Sequence, residues 1–124
     1  MSTPNDAIRG GEFLIRPTKA SDIFIPEEWS EEQLMMKQMT LDFVEKRVVP
    51  NLDAIDHQEE GLVPRLMEES GELGLLGSSV PEEYGGMGLD FKTTMLITEA
   101  IGGAHSFSVS FSAHTGIGTL PILY

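Results

Sequence analysis

The sequence predicts an all-α fold, a helical bundle domain with an irregular, Gly/Pro-rich crossover at residues 73–90. Apolar side chains recur at helical spacing in the segments 31–57, 64–73 and 91–101. Residues that cap or stop helices bound each of these segments. The crossover between the last two contains five glycines and a proline, which favours repeated tight turns.

The first helix is predicted to begin at Glu31, because Ser30-Glu31-Glu32-Gln33 matches the Ser-x-x-Gln capping box. Pro50 is expected to stop or kink this helix, with one or two further turns to about His57. A broad apolar face is predicted for the helix, formed by Leu34, Met35, Met36, Met39, Phe43, Val44 and Val48.

Residues 1–29 are predicted to form an N-terminal arm ahead of a helical domain at residues 30–124. The first eleven residues are small and polar, which is typical of poorly ordered termini. Two short apolar patches, Phe13-Leu14-Ile15 and Phe24-Ile25-Pro26, are expected to pin the arm down.

The second helix is expected to have Pro64 at its first position and to end at Gly74. Gly71 lies inside it, where its lack of a side chain suits close approach by a neighbouring helix. The crossover that follows contains apolar residues that a solvated linker would not need, so we expect it to be packed. They are Leu75, Leu76, Val80, Tyr84, Met87 and Leu89.

Asp90 is predicted to cap a third helix from Phe91 to about Ile101, which Gly102-Gly103 stops. Residues 106–112 alternate polar and apolar side chains, and periodicity alone indicates a strand. A lone strand would have no pairing partner among helices, so we favour a helix. The apolar run 117–124 reaches the last residue, and we therefore expect the domain to be truncated at 124.

The amino-acid composition limits the kinds of ligand and partner that the chain is expected to bind. The chain has 124 residues and a net charge of −12, so no basic surface is expected to bind nucleic acid or an anionic membrane. It contains no cysteine, which excludes disulfides and thiolate ligands. No apolar run approaches the roughly 18 residues of a membrane-spanning helix. Residues 1–6 are polar, without a signal-peptide core, and we expect a cytoplasmic protein.

The polar residues form no convincing catalytic, cofactor-binding or metal-binding constellation. His57, His105 and His114 lack the i, i+4 spacing of a helical metal site. The glycines of Gly85-Gly86-Met87-Gly88 lack the spacing of a phosphate-binding loop. The paired glutamates are typical of solvated helix faces. From its residues alone the chain is an acidic, mostly helical domain.

The crossover nevertheless resembles a known family. The string Glu72-Leu73-Gly74-Leu75-Leu76-Gly77, followed by Val80-Pro81-Glu82-Glu83-Tyr84-Gly85-Gly86-Met87-Gly88-Leu89, is similar to the N-terminal helical domain of acyl-CoA dehydrogenases. Three flanking strings resemble the same domain in the same order. They are Phe43-Val44-Glu45-Lys46-Arg47-Val48-Val49-Pro50, Thr98-Glu99-Ala100-Ile101-Gly102 and Gly118-Thr119-Leu120-Pro121-Ile122.

The resemblance implies a parent enzyme that oxidises fatty acyl-CoA to the 2-enoyl-CoA in fatty-acid β-oxidation, with FAD as the cofactor. In that family a β-domain and a C-terminal helical bundle follow this domain. They carry nearly all FAD contacts and, in most members, the catalytic glutamate. The resemblance thus implies no catalytic or cofactor-binding residue here, and a fragment that is inactive and binds no FAD by itself.

The resemblance also implies part of an acyl-tail pocket. The family's helix before the Gly-x-x-Pro string lines the deep end of that cavity, and Val109, Ala113 and Ile117 occupy the matching positions. Shorter-chain members carry a bulkier polar group where Ala113 stands, so the long-chain or very-long-chain branch is favoured. Small size for helix packing alone is the other interpretation of Ala113.

Two statements about partners follow. A fragment would expose the faces that meet the β-domain and the bundle, so we expect it to self-associate. The alternative function is a stand-alone helical protein-interaction module derived from the same fold.

Overall fold

The computed structural model describes residues 8, 10–23 and 28–124, and every regular element in them is helical. The all-α prediction is confirmed, including a helix for residues 106–112. The chain divides into two compact units, Met1–Glu31 and Glu32–Tyr124. Among the described helices, none is long and apolar enough to span a membrane.

The first unit contains two short 3₁₀ turns, Glu12–Leu14 and Ala20–Asp22. The backbone N–H of Ile8 donates to the carbonyl of Asp22 at 3.2 Å. Phe13, Leu14 and Ile15 are all exposed, and the pinning of the arm by this patch stays a prediction. The second predicted patch, Phe24-Ile25-Pro26, lies outside the described residues.

Helix α1 spans Glu31–Phe43 and continues through a π turn at Val44–Val48 and a 3₁₀ turn at Val49–Asn51 into helix α2, Leu52–Asp56. Both the predicted start at Glu31 and the extra turns beyond Pro50 are confirmed. The predicted apolar face is too broad. Leu34 and Met35, near the start of the helix, are exposed.

Helix α3 spans Leu62–Glu72, and its carboxyl end is as predicted, with Gly74 in the left-handed conformation at φ 79°. Its start is two residues earlier than predicted, because Gly61 takes the left-handed N-cap position and Pro64 lies at the third helical residue. The role predicted for Gly71 is also wrong. A Cβ there would meet Leu76 Cδ1 at 3.3 Å, so the glycine makes room for the next turn and not for another helix.

Helix α4 spans Phe91–Ile101, the predicted range, and a 3₁₀ turn at Gly102–Ala104 ends it. Asp90 caps it, as predicted, by accepting a hydrogen bond from the backbone N–H of Thr93 at 2.9 Å. The side chain of Gln33 in α1 donates to the Thr93 hydroxyl at 2.9 Å, which joins α1 to the start of α4.

Helix α5 spans Ser106–Ser112 and runs through a second π turn, Ala113–Gly118, into helix α6 at Leu120–Leu123. It packs against α2, and the Ser106 hydroxyl donates to Asp56 Oδ1 at 2.6 Å.

One apolar core serves the second unit. Phe107 of α5 is fully buried, with its ring centre 6.0 Å from that of Phe43 and 6.5 Å from that of Phe111. The other buried members come from the helices and turns that precede α5, and include Val44, Val48, Ile55, Leu62, Leu66, Leu75, Ile97, Ile101 and Ala104. One face of α5 is therefore fixed, and its opposite face points away from the core.

Candidate functional site

The crossover is a compact loop that folds back on itself between residues 77 and 89. The backbone N–H groups of Met87, Gly88 and Leu89 donate to the carbonyls of Gly77, Val80 and Ser78 at 3.0, 2.8 and 2.9 Å. Leu75 at its start is fully buried. The predicted packed crossing is confirmed, except that Tyr84 is 68% exposed and contributes nothing to the core.

Two glycines of the crossover would be strained by a side chain, Gly86 because backbone approaches it closely and Gly74 also because its φ is 79°. A Cβ on Gly86 would lie 2.0 Å from the carbonyl oxygen of Val80, and one on Gly74 would lie 2.7 Å from the sulfur of Met87. The backbone N–H of Gly86 donates to the carbonyl of Pro81 at 3.1 Å. The donors that could cradle a phosphate are thus engaged within the loop, and the glycines serve tight packing.

The three residues predicted to bind substrate lie along the face of α5 and its π turn that the core does not use. Val109 is 69% exposed and Ile117 is 82% exposed, and Ala113 between them is exposed as well. They are spaced four residues apart, so they occupy successive turns. Phe107 and Phe111 anchor the opposite face. The result is an open apolar strip on a rigid support.

The part of this strip from Ala113 to Ile117 lies in a π turn. The backbone N–H of Thr119 donates to the carbonyl of His114 at 3.0 Å, five residues back, and the Thr119 hydroxyl donates to the same oxygen at 2.7 Å. A Cβ on Gly118 would come within 3.3 Å of the carbonyl oxygen of Ala113. The turn at Leu75–Gly77 packs against this segment, so the crossover supports it from behind.

An apolar groove of about 460 Å³ lies between the crossover and the end of the chain. It is lined by Val80 and Tyr84 of the crossover and by Thr119, Ile122 and Leu123 at the end of the chain. None of the three predicted substrate-binding residues lines it. Sequence reasoning missed this groove, although the apolar spacing of Leu120, Ile122 and Leu123 was a signal of an amphipathic turn.

The carboxyl groups with shifted pKa values are all stabilised in the charged form. Arg47 binds both oxygens of Glu69, at 2.7 and 2.8 Å, and lowers the pKa of that carboxyl. Hydrogen bonds from the Thr93 hydroxyl and amide lower the pKa of Asp90. A general base for carbon acids benefits from a pKa raised toward neutrality, so these groups are not suited to that role.

Metal-ligand geometry is likewise missing from the part of the chain that the structure describes, where no three carboxylates or histidines converge. His57, His105 and His114 are each exposed on different elements. His57 Nδ1 lies 2.8 Å from the carbonyl oxygen of Asp53 within its own helix.

The family model for the N-terminal domain of acyl-CoA dehydrogenases matches residues 30–124. The chain belongs to the acyl-CoA dehydrogenase family. A probable acyl-CoA dehydrogenase of Bacillus subtilis is 48% identical to it over 120 residues, covering 96% of this chain. The mitochondrial short-chain specific acyl-CoA dehydrogenase of Rattus norvegicus is 35% identical over 123 residues, covering 93% of the chain.

The fold agrees with a solved member of the family. The crystal structure of an acyl-CoA dehydrogenase from Bacillus anthracis, complexed with FAD, matches with a TM-score of 0.87 and 44% identity over 94% of this chain. This domain spans 20% of that chain, 20% of the Bacillus subtilis relative and 29% of the rat relative.

The crossover string lies within the range that the family model matches. The relatives include a short-chain specific enzyme, so the similarity by itself selects no chain-length branch. The domain therefore has two exposed apolar features whose function is to be assigned, the strip of Val109, Ala113 and Ile117 and the groove.

Proposed function

We propose that residues 30–124 act as the N-terminal domain of an FAD-dependent enzyme that oxidises fatty acyl-CoA in β-oxidation, and that residues 1–29 form an arm ahead of it. The proposal assigns Val109, Ala113 and Ile117 to the wall of the acyl-tail pocket. The observation that carries it is the strip itself, an apolar surface left open on a helix whose other face is locked into the core. Such a surface favours a hydrocarbon ligand or a covering domain.

The proposed substrates are long-chain acyl-CoA thioesters. Ala113, at the middle of the strip, is the smallest of its three side chains and leaves the most room beside the helix. An added carboxylate at this position would project into the space next to Val109 and Ile117. It would also need to be desolvated by an apolar tail, which costs free energy.

We expect this domain not to hold FAD by itself. The glycine-rich loop spends its backbone donors on Gly77, Ser78 and Val80, so no set of free amides is offered to the flavin diphosphate. We therefore assign FAD and the catalytic base of the proposed enzyme to the β-domain and the C-terminal helical bundle, and we derive no chemical step here.

The decisive experiment uses the full-length enzyme that contains this domain. Ala113→Glu is expected to lower kcat/KM for palmitoyl-CoA about tenfold or more, because the apolar tail must desolvate the new carboxylate. A tenfold loss corresponds to about 1.4 kcal/mol. Activity on butyryl-CoA, whose tail stops short of the strip, should persist. Ala113→Ser is the matched control, since it keeps the small volume. A palmitoyl-to-butyryl preference that Ala113→Glu leaves unchanged would refute the assignment.

The isolated chain is expected to be inactive, to purify without flavin and to self-associate through its open apolar surface. Sedimentation velocity with increasing concentration measures the association, and absorbance near the flavin band measures the cofactor. A colourless monomer at all concentrations would contradict the self-association, and a yellow sample would contradict the assignment of FAD to the other domains. The proposal includes a cytoplasmic location, which cell fractionation checks.

A stand-alone helical protein-interaction module remains the alternative function. The groove lined by Val80, Tyr84, Thr119, Ile122 and Leu123 is the specific observation in its favour. The length of the natural gene product distinguishes the two. A protein of the domain's size in cells supports the module, whereas a protein of the relatives' length supports the enzyme.

A further inference from the structure

The two π turns found in residues 28–124 share a cause. Val44–Val48 comes just before Pro50, and Ala113–Gly118 comes just before Pro121. Proline lacks an N–H group, and its ring clashes with the carbonyl four residues earlier. A π turn relieves such a clash by letting one extra residue into the helix. The prolines therefore explain why both helices are distorted.

A polar side chain completes each distorted turn. Asn51 Nδ2 donates to the carbonyl of Arg47 at 2.7 Å in the first. In the second, the Thr119 hydroxyl donates to the carbonyl of His114 at 2.7 Å, beside the bond from its own backbone N–H. The two Thr119 donors thus hold the same oxygen and favour the five-residue spacing over the usual four.

The spacing decides where Ile117 points. An α-helix advances about 100° per residue, so a straight helix would turn Ile117 about 80° away from Val109. A π turn advances less per residue and brings Ile117 back toward the line through Val109 and Ala113. Val109 and Ile117 are both exposed, as residues on the open face must be.

We propose that Thr119 is a positioning residue, which sets the acyl-tail specificity of the enzyme by holding the π turn that keeps Ile117 in line with Val109 and Ala113. This inference rests on the proposed function, because it gives Ile117 a substrate to contact. Thr119 acts through the turn, and its hydroxyl is committed to His114.

The test compares three variants of the full-length enzyme. Thr119→Val removes the hydroxyl and keeps the shape, so the groove is not changed in size. It is expected to raise KM for palmitoyl-CoA about fivefold, the equilibrium effect of one hydrogen bond, while kcat and the KM for butyryl-CoA stay the same. Thr119→Ser restores the hydroxyl and should restore the palmitoyl-CoA KM.

Asn51→Ala is the matched control, because it removes the corresponding bond from the π turn that lies away from the strip. Both Asn51→Ala and Thr119→Val should lower thermal stability to a similar degree. Only Thr119→Val should change the palmitoyl-CoA KM. If the two variants change it alike, or if neither does, the effect of Thr119 is purely structural and the proposal is overturned.

Amide hydrogen exchange at residues 117–119 supplies a readout that needs no activity. Exchange there should be about fivefold faster in Thr119→Val than in the wild type and normal in Thr119→Ser. Unchanged exchange in Thr119→Val overturns the proposal. An enzyme that oxidises no acyl-CoA refutes the proposed function, while hydroxyl-dependent exchange still supports the hold of Thr119 on the turn.

Discussion

Gly86→Ala is predicted to be the most damaging single-methyl change in the crossover. The new Cβ would lie 2.0 Å from the carbonyl oxygen of Val80 and 2.4 Å from its Cβ. Both obstacles are close to the backbone, and no flexible side chain can swing away to admit the methyl group. The backbone around Gly86 must therefore move more than an ångström away from Val80 to reach ordinary contact distance.

That separation breaks the interactions that close the loop. The bonds from Gly88 N–H to Val80 at 2.8 Å and from Met87 N–H to Gly77 at 3.0 Å are the first to be lost. Two backbone hydrogen bonds at about 1 kcal/mol each, with about 1–3 kcal/mol of overpacking strain, give a destabilisation of about 3–5 kcal/mol. This is a large share of the roughly 5–15 kcal/mol that stabilises a typical domain.

Urea unfolding of the 124-residue chain, followed by far-UV circular dichroism, measures the change. Gly102→Ala is the control, since a Cβ there meets nothing within 4 Å and its φ of −54° suits alanine. The control should be neutral or stabilising by up to about 1 kcal/mol. Equal unfolding midpoints for the two variants would refute the close-packing explanation of Gly86.

Three further predictions concern the core, a cap and an ion pair. Phe107→Ala should cost about 3–5 kcal/mol in urea unfolding, whereas Val109→Ala on the open face should cost under about 0.5 kcal/mol; similar losses would contradict the assignment of faces. Asp90→Ala should cost about 1 kcal/mol by removing the cap of α4, and unchanged stability would count against that cap. Glu69→Gln tests the ion pair with Arg47, through the pH dependence of the difference in unfolding free energy between the wild type and the variant. Arg47 lowers the pKa of Glu69 below its ordinary 4.5. The wild type is therefore more stable than the variant at pH values above 4.5. This difference should fall away as the pH drops through the lowered pKa, and a wild-type advantage that does not change between neutral and acidic pH would disprove the ion pair.

The helices were predictable from local signals that the structure uses directly. Asp90 and Gly74 are both in the positions that their capping chemistry favours. The helix at 106–112 was decided by the absence of a pairing partner, and not by its alternating pattern. Both phenylalanines of that pattern, Phe107 and Phe111, lie in the core because they are spaced four residues apart.

The errors arose where tertiary contacts override local pattern. Met35 is apolar and correctly spaced for a helix face, yet it is exposed. Gly71 makes room for the side chain of Leu76, five residues later in the chain. Its position in the sequence does not distinguish this contact from the close approach of another helix. The groove depends on how the end of the chain packs on the crossover, which local pattern does not reveal.

The strip of Val109, Ala113 and Ile117 was predicted from resemblance and not from physical pattern. The sequence places these residues four apart, but the π turn that brings Ile117 into line and the buried Phe107 that fixes the opposite face are known only from the structure. The substrate that the strip contacts is still a proposal.

The folded-back crossover also bears on protein engineering. By composition, Gly85-Gly86-Met87-Gly88 would be chosen as the place to split the chain or to insert a second domain. Its backbone bonds make it one of the least suitable places, since an insertion would open the pairing of Leu89 with Ser78. The exposed loop at residues 58–61, between α2 and α3, is the better site for a reporter or a complementation junction.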